Sequence, residues 1–240
     1  MHLPTGPFIN AAAIIGGAVA GATLGGKLPE RVRANLPTLF GLLSVGLAFI
    51  TIPKVANYAP VSLAAVIGTA LGEWIGIENG FAKLAAAART FADKLIPAKD
   101  GMPAETFIEN YVSLVILFGF SGMGIFGAMH EGMTGEPSIL YIKAILDVFT
   151  AAIFAISLGV MVAFIAVPQM LVQCTLFFLA SLVIPLATPE MRADFAACGG
   201  LIMLATGLRI MGIKPFPVAN MLPALVLVMP LSHFWTVYIA

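Results

Sequence analysis

Lys143 and Asp147 stand four residues apart in an otherwise largely apolar stretch, so a helix would set both on one face. Charged groups inside an apolar span are costly, and they persist where they face each other or a cavity. Asp147 falls about two turns inside its segment, deep enough for its carboxylate to take up a proton or cation. The other reading of the pair is a purely structural ion pair. Gln169 and Gln173 repeat the four-residue spacing on a second segment, and Asn10 lies in a third. An amide both donates and accepts, so these side chains could hold an ion or small solute, or satisfy freed backbone groups. Asn57 and Asn220 sit in two copies of Val-Ala-Asn-x-x-Pro, Val55–Pro60 and Val218–Pro223. Pro60 and Pro223 would mark helix breaks at which the two amides hold a ligand. The alternative is that each asparagine caps a helix with proline just inside its start.

These residue types point to holding and moving something rather than to bond chemistry. There is no HExxH, GxSxG, Walker A or strand–GxGxxG–helix pattern. His2, His130 and His233 are scattered, and Cys174 and Cys198 lie in apolar segments without a CxxC. No catalytic residue, metal or cofactor is expected, and the chain is not expected to be an enzyme. Twelve basic and twelve acidic residues leave no basic tail or patch, so nucleic acid is not an expected partner.

The elements that position these groups are apolar helices. Sixty per cent of the 240 residues are hydrophobic and ten per cent charged, with a mean hydropathy of +1.02. A soluble domain carries about 25% charged residues. At about 20 residues per span, the expected fold is an all-α, polytopic membrane protein with eight transmembrane helices in one domain, residues 1–240. They are predicted at 8–25, 36–52, a third ending near 77, 107–129, 139–157, one centred on 168–186, 196–211 and 218–238. The run 159–167 is ambiguous: an extension of the fifth helix, the start of the sixth, or a short re-entrant piece.

Loop charges select this count. With the N-terminus outside, the inner side holds Lys27, Arg31, Arg33, Lys83, Arg89, Lys94, Lys99, Arg209 and Lys214. The outer side holds only Lys54, Lys143 and Arg192, as the positive-inside rule requires. Both termini are then outside. Residues 79–100 alternate apolar and charged groups at helical spacing and read as an amphipathic linker on the inner surface. Trp74, Trp235 and Tyr238 suit interfacial anchoring. Glu131, which ends the fourth helix with His130, reads as solvated.

Around each Val-Ala-Asn-x-x-Pro segment the context repeats. Pro29-Glu30-Arg31 and Pro189-Glu190-Met191-Arg192 precede helices that become apolar at Gly41-Leu42 and Gly200-Leu201. Helices 1–3 (7–78) therefore match helices 6–8 (166–240), with helices 4–5 (105–160) between. The displacement is five helices, an odd number, so the repeats must be inverted, an arrangement recurrent in secondary transporters. Ala13, Gly17, Gly21 and Gly25 form a small-residue stripe that could seat a neighbouring helix or a second copy in a homodimer. Gly119, Ser121, Gly122, Gly124 and Gly127 in helix 4 indicate close packing or local unwinding.

On several of these stretches the chain resembles a known family, the bacterial YdfK/YqgA-like integral membrane proteins, a family of unknown function. They are Gly6-x-x-x-Asn10 with Leu28-Pro29-Glu30-Arg31, Phe107-x-Glu109, Gly132-x-x-Gly135, Lys143-x-x-Leu146-Asp147 and Val218–Pro223. The resemblance runs over essentially the whole chain. Pro7 stands where family members usually carry Thr, and Glu136 where they carry Asp. It implies a multi-pass protein of the bacterial inner membrane and supplies no substrate. The expected function is a small secondary transporter of a small solute or ion, with its site between the repeats. An ion channel and a non-transporting scaffold or accessory subunit are the alternatives.

Overall fold

The computed structural model of the chain describes residues 3–24, 29–80 and 121–239, with Lys83, Tyr111, Leu114, Val115, Phe118 and Gly119. The linker expected at 79–100 and the first part of the fourth predicted helix, Glu109 included, fall almost wholly outside the described residues. The described residues form α-helices α1 (Thr5–Leu24), α2 (Glu30–Thr51), α3 (Tyr58–Ile75), α4 (Gly122–Thr134), α5 (Ser138–Leu158), α6 (Ala166–Val183), α7 (Pro189–Ile210) and α8 (Pro223–Tyr238). Among the described residues, five helical stretches are long and apolar enough to cross a membrane, one of them the 46-residue run Ser138–Val183. That run is about twice the length a single span needs. Many large apolar side chains point outward, among them Val66, Trp74, Leu171 and Leu182. Such a surface suits lipid rather than water.

Close contacts give the packing directions. Methyl groups placed on Gly17 and Gly21 would collide with the backbone carbonyls of Val148 and Ala152, so α1 and α5 touch backbone to backbone and run parallel. This face of the small-residue stripe is therefore filled by α5 of the same chain. On α2, Gly41 meets Gly207 and Ser44 donates to the Met203 carbonyl at 2.8 Å, so α2 and α7 are antiparallel. On α3, Gly68 packs on Ala224 and Gly72 on Asn220, so α3 and α8 are antiparallel too.

Three features depart from the sequence reading. First, the helix expected at 107–129 is not continuous. Phe118 and Gly119 are helical, Ser121 is not, and α4 starts afresh at Gly122. Ser121 caps the new start by accepting from Gly124 N at 3.1 Å, and Gly124 and Gly127 pack closely on Lys143 and Leu140 of α5. Second, α2 and α7 begin well before their expected starts at 36 and 196. Their first turns carry charge, which hydropathy trims away, although an acid such as Glu190 suits a helix start. Third, the ambiguous run is a 3-10 segment, Gly159–Ile165, entered through Gly159 at φ 68 and ψ −161. The chain reverses there. Along α5 it travels from the Gly6 end of α1 to the Gly21 end. Along α6 it returns to Phe177, which packs on Gly132 beside the Glu131 that binds Gly6.

Candidate functional site

Lys143 and Asp147 form an ion pair, Nζ to Oδ2, with both side chains almost fully buried. The i,i+4 spacing on α5 brings them together, and the packing of neighbouring helices removes water. Because Val148 sits on Gly17, the pair lies beside the middle of the 20-residue α1 rather than at either end. The break at Ser121 lies at the same depth. Gly127 contacts Leu140 and Gly124 contacts Lys143, so α4 runs antiparallel to α5 and its first residues come level with Asp147.

Polar groups crowd this point. A methyl group on Gly124 would come within 2.8 Å of Lys143 Cε, 2.9 Å of Ser121 Oγ and 3.1 Å of Gln173 Nε2. The Lys143 ammonium stands 5.7 Å from the Phe118 ring centroid, within cation–π range. Asn10 lies beside the Asp147 carboxylate but closes no hydrogen bond of good geometry with it. Gln169 is one turn from Gln173 on the same face. Asn10, Gln169 and Gln173 are fully buried, and among the described residues none of their amide atoms has a hydrogen-bond partner. Leaving such a group unpaired costs on the order of 1–3 kcal/mol, so these amides are placed for a water, an ion or a ligand.

The pair opens onto a cavity of about 330 Å³. Its polar lining is Ser121, Lys143, Asp147, Thr150 and Thr206, and the rest is apolar and aromatic. Its volume is at the lower end of the roughly 300–1,000 Å³ range of small-molecule sites.

The asparagines of the two repeated segments are elsewhere. Asn57 Nδ2 reaches Thr236 Oγ1 at 3.5 Å, where α3 begins and α8 ends. Asn220 Oδ1 accepts from Glu78 N at 2.8 Å, where α3 has ended and α8 begins. The two lie roughly 20 Å apart along the antiparallel pair, so they cannot share one ligand site as expected. Neither makes a side-chain cap to its own helix. Pro60 falls in the first turn of α3 and Pro223 at the start of α8, so both begin helices rather than break them.

Two acids do structural work that the sequence reading missed. Asp194, fully buried on α7, accepts from Ala56 N at 2.9 Å, Asn57 N at 2.7 Å and Ser232 Oγ at 2.6 Å. It thus caps α3 from a neighbouring helix and ties α7 to α8. Glu131 is not solvated. It is 1% exposed and accepts from Thr5 Oγ1 and Gly6 N at 2.9 and 3.0 Å, capping α1. Both place a negative charge at the positive end of a helix. The available signal was an acid lying next to a long apolar run rather than inside a charged loop. At the far end, Arg209 pairs with Glu78 at 2.6 Å and donates to the Phe216 carbonyl, holding the second repeated segment in place.

Fold and site together define an all-helical protein of membrane type with an ion pair and unpartnered amides in its interior. The chain belongs to the family described as "Protein of unknown function (DUF554)", which matches residues 5–233. It is 51% identical to "Uncharacterized protein YqgA" of Escherichia coli (strain K12), covering 98% of this chain and 99% of that protein. It is 24% identical to "Uncharacterized membrane protein YdfK" of Bacillus subtilis (strain 168), covering 92% and 93%. No solved structure matches.

Proposed function

We propose that the chain is a small secondary transporter that moves a small solute or ion across the bacterial inner membrane, with the Lys143–Asp147 pair as its coupling group. The observation that carries this reading is the position of the pair. It is buried at mid-helix depth, beside a helix that breaks at Ser121, and it opens onto a cavity with unpartnered amides around it. Interrupted helices near the midplane are where carriers place their sites, because freed backbone groups and helix ends can meet a solute there. Asn10, Gln169 and Gln173 belong to this site, whereas Asn57 and Asn220 serve the ends of the α3–α8 pair.

In this reading helices 1–3 and 6–8 are inverted repeats and both termini face outward. The antiparallel α2–α7 and α3–α8 pairs support it, since each joins matching members of the two halves. The name of the Bacillus subtilis relative as a membrane protein supports the membrane location alone. The test is uptake by proteoliposomes challenged in turn with labelled organic acids, amino acids and alkali cations. Wild-type protein is expected to take up one class, and Asp147→Asn to lose gradient-driven uptake at equal incorporation. Equal uptake by both proteins removes Asp147 from the mechanism.

A further inference from the structure

We infer that the cavity takes a small monocarboxylate with an apolar body, and that the carboxylate enters together with one proton. This deepens the transport reading and rests on it for movement, but not for binding.

The walls identify the body of the ligand. Phe40, Phe118, Leu146, Ile153, Phe154 and Ile210 line most of the cavity. A bare ion has no use for such a surface, whereas a branched or aromatic hydrocarbon gains by burial against it. The polar end identifies the head. The Ser121 hydroxyl and the Lys143 side chain line the cavity at the start of α4, and the Gln173 amide, just outside the lining, meets them near Gly124. All can donate, and a helix N-terminus favours an anion. Gln173 is fully buried, has no partner among the described residues, and brings Nε2 close to that point.

Charge balance then requires the proton. The empty site is neutral, because Lys143 and Asp147 cancel. A monoanion alone would leave one excess negative charge in an apolar enclosure, which is costly. When Lys143 turns from Asp147 to the incoming carboxylate, Asp147 loses its counter-ion and its Oδ2 takes a proton from water on the side of entry. The carboxylate and one proton have then entered, and the charge of the site is unchanged. On release the carboxylate leaves, Lys143 returns to Asp147, and the proton passes to water on the other side.

Among the described residues, Lys143 is the charged group facing Asp147. Helix α1 has no ionisable side chain, and neither has the 3-10 segment. On α4, Glu131 is bound to the start of α1 and His130 lies beside it toward the same end. The ionisable residues of α2 lie in its first turn, before Phe40. On α7, Arg209 pairs with Glu78 and Asp194 holds Ser232 and the start of α3, while Glu190 and Arg192 lie in the first turn.

The test uses the purified full chain in detergent. Unfolding midpoints are measured with isovalerate and phenylacetate, with the matching amines, with leucine and with sodium, at mildly acid and mildly alkaline pH. The carboxylates are expected to raise the midpoint, more so at acid pH. Asp147→Asn is expected to bind them equally at both pH values, since its Lys143 is free throughout. The neutral double variant Lys143→Gln with Asp147→Asn has no lone buried charge, and its carboxylate affinity should fall at least about tenfold. In proteoliposomes an inward carboxylate gradient should acidify the lumen without moving net charge. Stabilisation by amines, leucine or sodium instead of carboxylates overturns the ligand class. Carboxylate binding that ignores pH in the wild type overturns the proton step. Carboxylate binding without any flux upholds this ligand and overturns transport. Flux of another class without carboxylate binding overturns this inference and upholds transport.

Discussion

Removing the Lys143 ammonium alone would leave the Asp147 carboxylate buried without a counter-ion. Breaking a buried pair from one side costs about 3–5 kcal/mol, whereas replacing both partners with apolar groups is close to neutral. Lys143→Ala is therefore expected to lower stability by about that amount in detergent unfolding. Lys143→Met with Asp147→Leu should recover most of the loss, and failure to recover would mean the charges have other structural partners. The pair was legible in the sequence, because two charges at i,i+4 inside an apolar run have few other places to go. Asn10, Gln169 and Gln173 were legible for the same reason, as polar groups in spans that offer no water. Asn57 and Asn220 misled because a repeated motif was read as one shared site. In an antiparallel pair, equivalent positions lie at opposite ends. Asp194 was missed because hydropathy started its helix at 196 rather than at Pro189, seven residues too late, which turned a buried cap into a loop residue.

Helices come together here through glycine, and that sets the tolerance of each contact. Gly17 lies directly on the Val148 carbonyl. A side chain there must push α1 away from α5 and tilt Asn10 away from Asp147. Gly17→Leu is expected to abolish a cooperative unfolding transition in detergent, while Gly16→Leu, where a side chain meets open space, should leave it unchanged. Indistinguishable melts for the two proteins would remove the α1–α5 backbone contact. Apolar composition showed which segments are helices. It could not show that the fourth is interrupted, since Gly119–Gly124 is as apolar as its neighbours and only the Ser121 cap marks the new start. Boundaries moved where charged residues open a helix, because charge and hydropathy make opposite demands at those positions.

Across the whole molecule, the antiparallel α3–α8 pair carries the two repeated segments to opposite ends. Lys54 lies beside the first and Lys214 beside the second, and both are exposed. A Cys174→Ala background leaves Cys198, which is buried. In that background Lys54→Cys should react with a membrane-impermeant maleimide on intact cells. Lys214→Cys should react only after the membrane is opened. Labelling of both from one side would end the topology with outward termini. The expected topology rests on the asymmetry of positive charge between loops, a global quantity that survives errors in any one helix boundary.

From Val148 to Pro189 the chain carries no charge at all. The reversal at Gly159 therefore happens without a charged residue to hold it at either water boundary, and the machinery that threads the chain into lipid receives no electrostatic instruction there. In the proposed topology the run makes two passes, and what would set them is a backbone conformation at Gly159 that is essentially restricted to glycine. Gly159→Leu is expected to favour one long tilted helix, leaving α7 and α8 upside down in a fraction of the molecules. In a Lys214→Cys chain that fraction would be read as new labelling on intact cells. In the proposed topology, one hydrogen atom in place of a side chain thus sets, during synthesis, which way the last quarter of the protein faces.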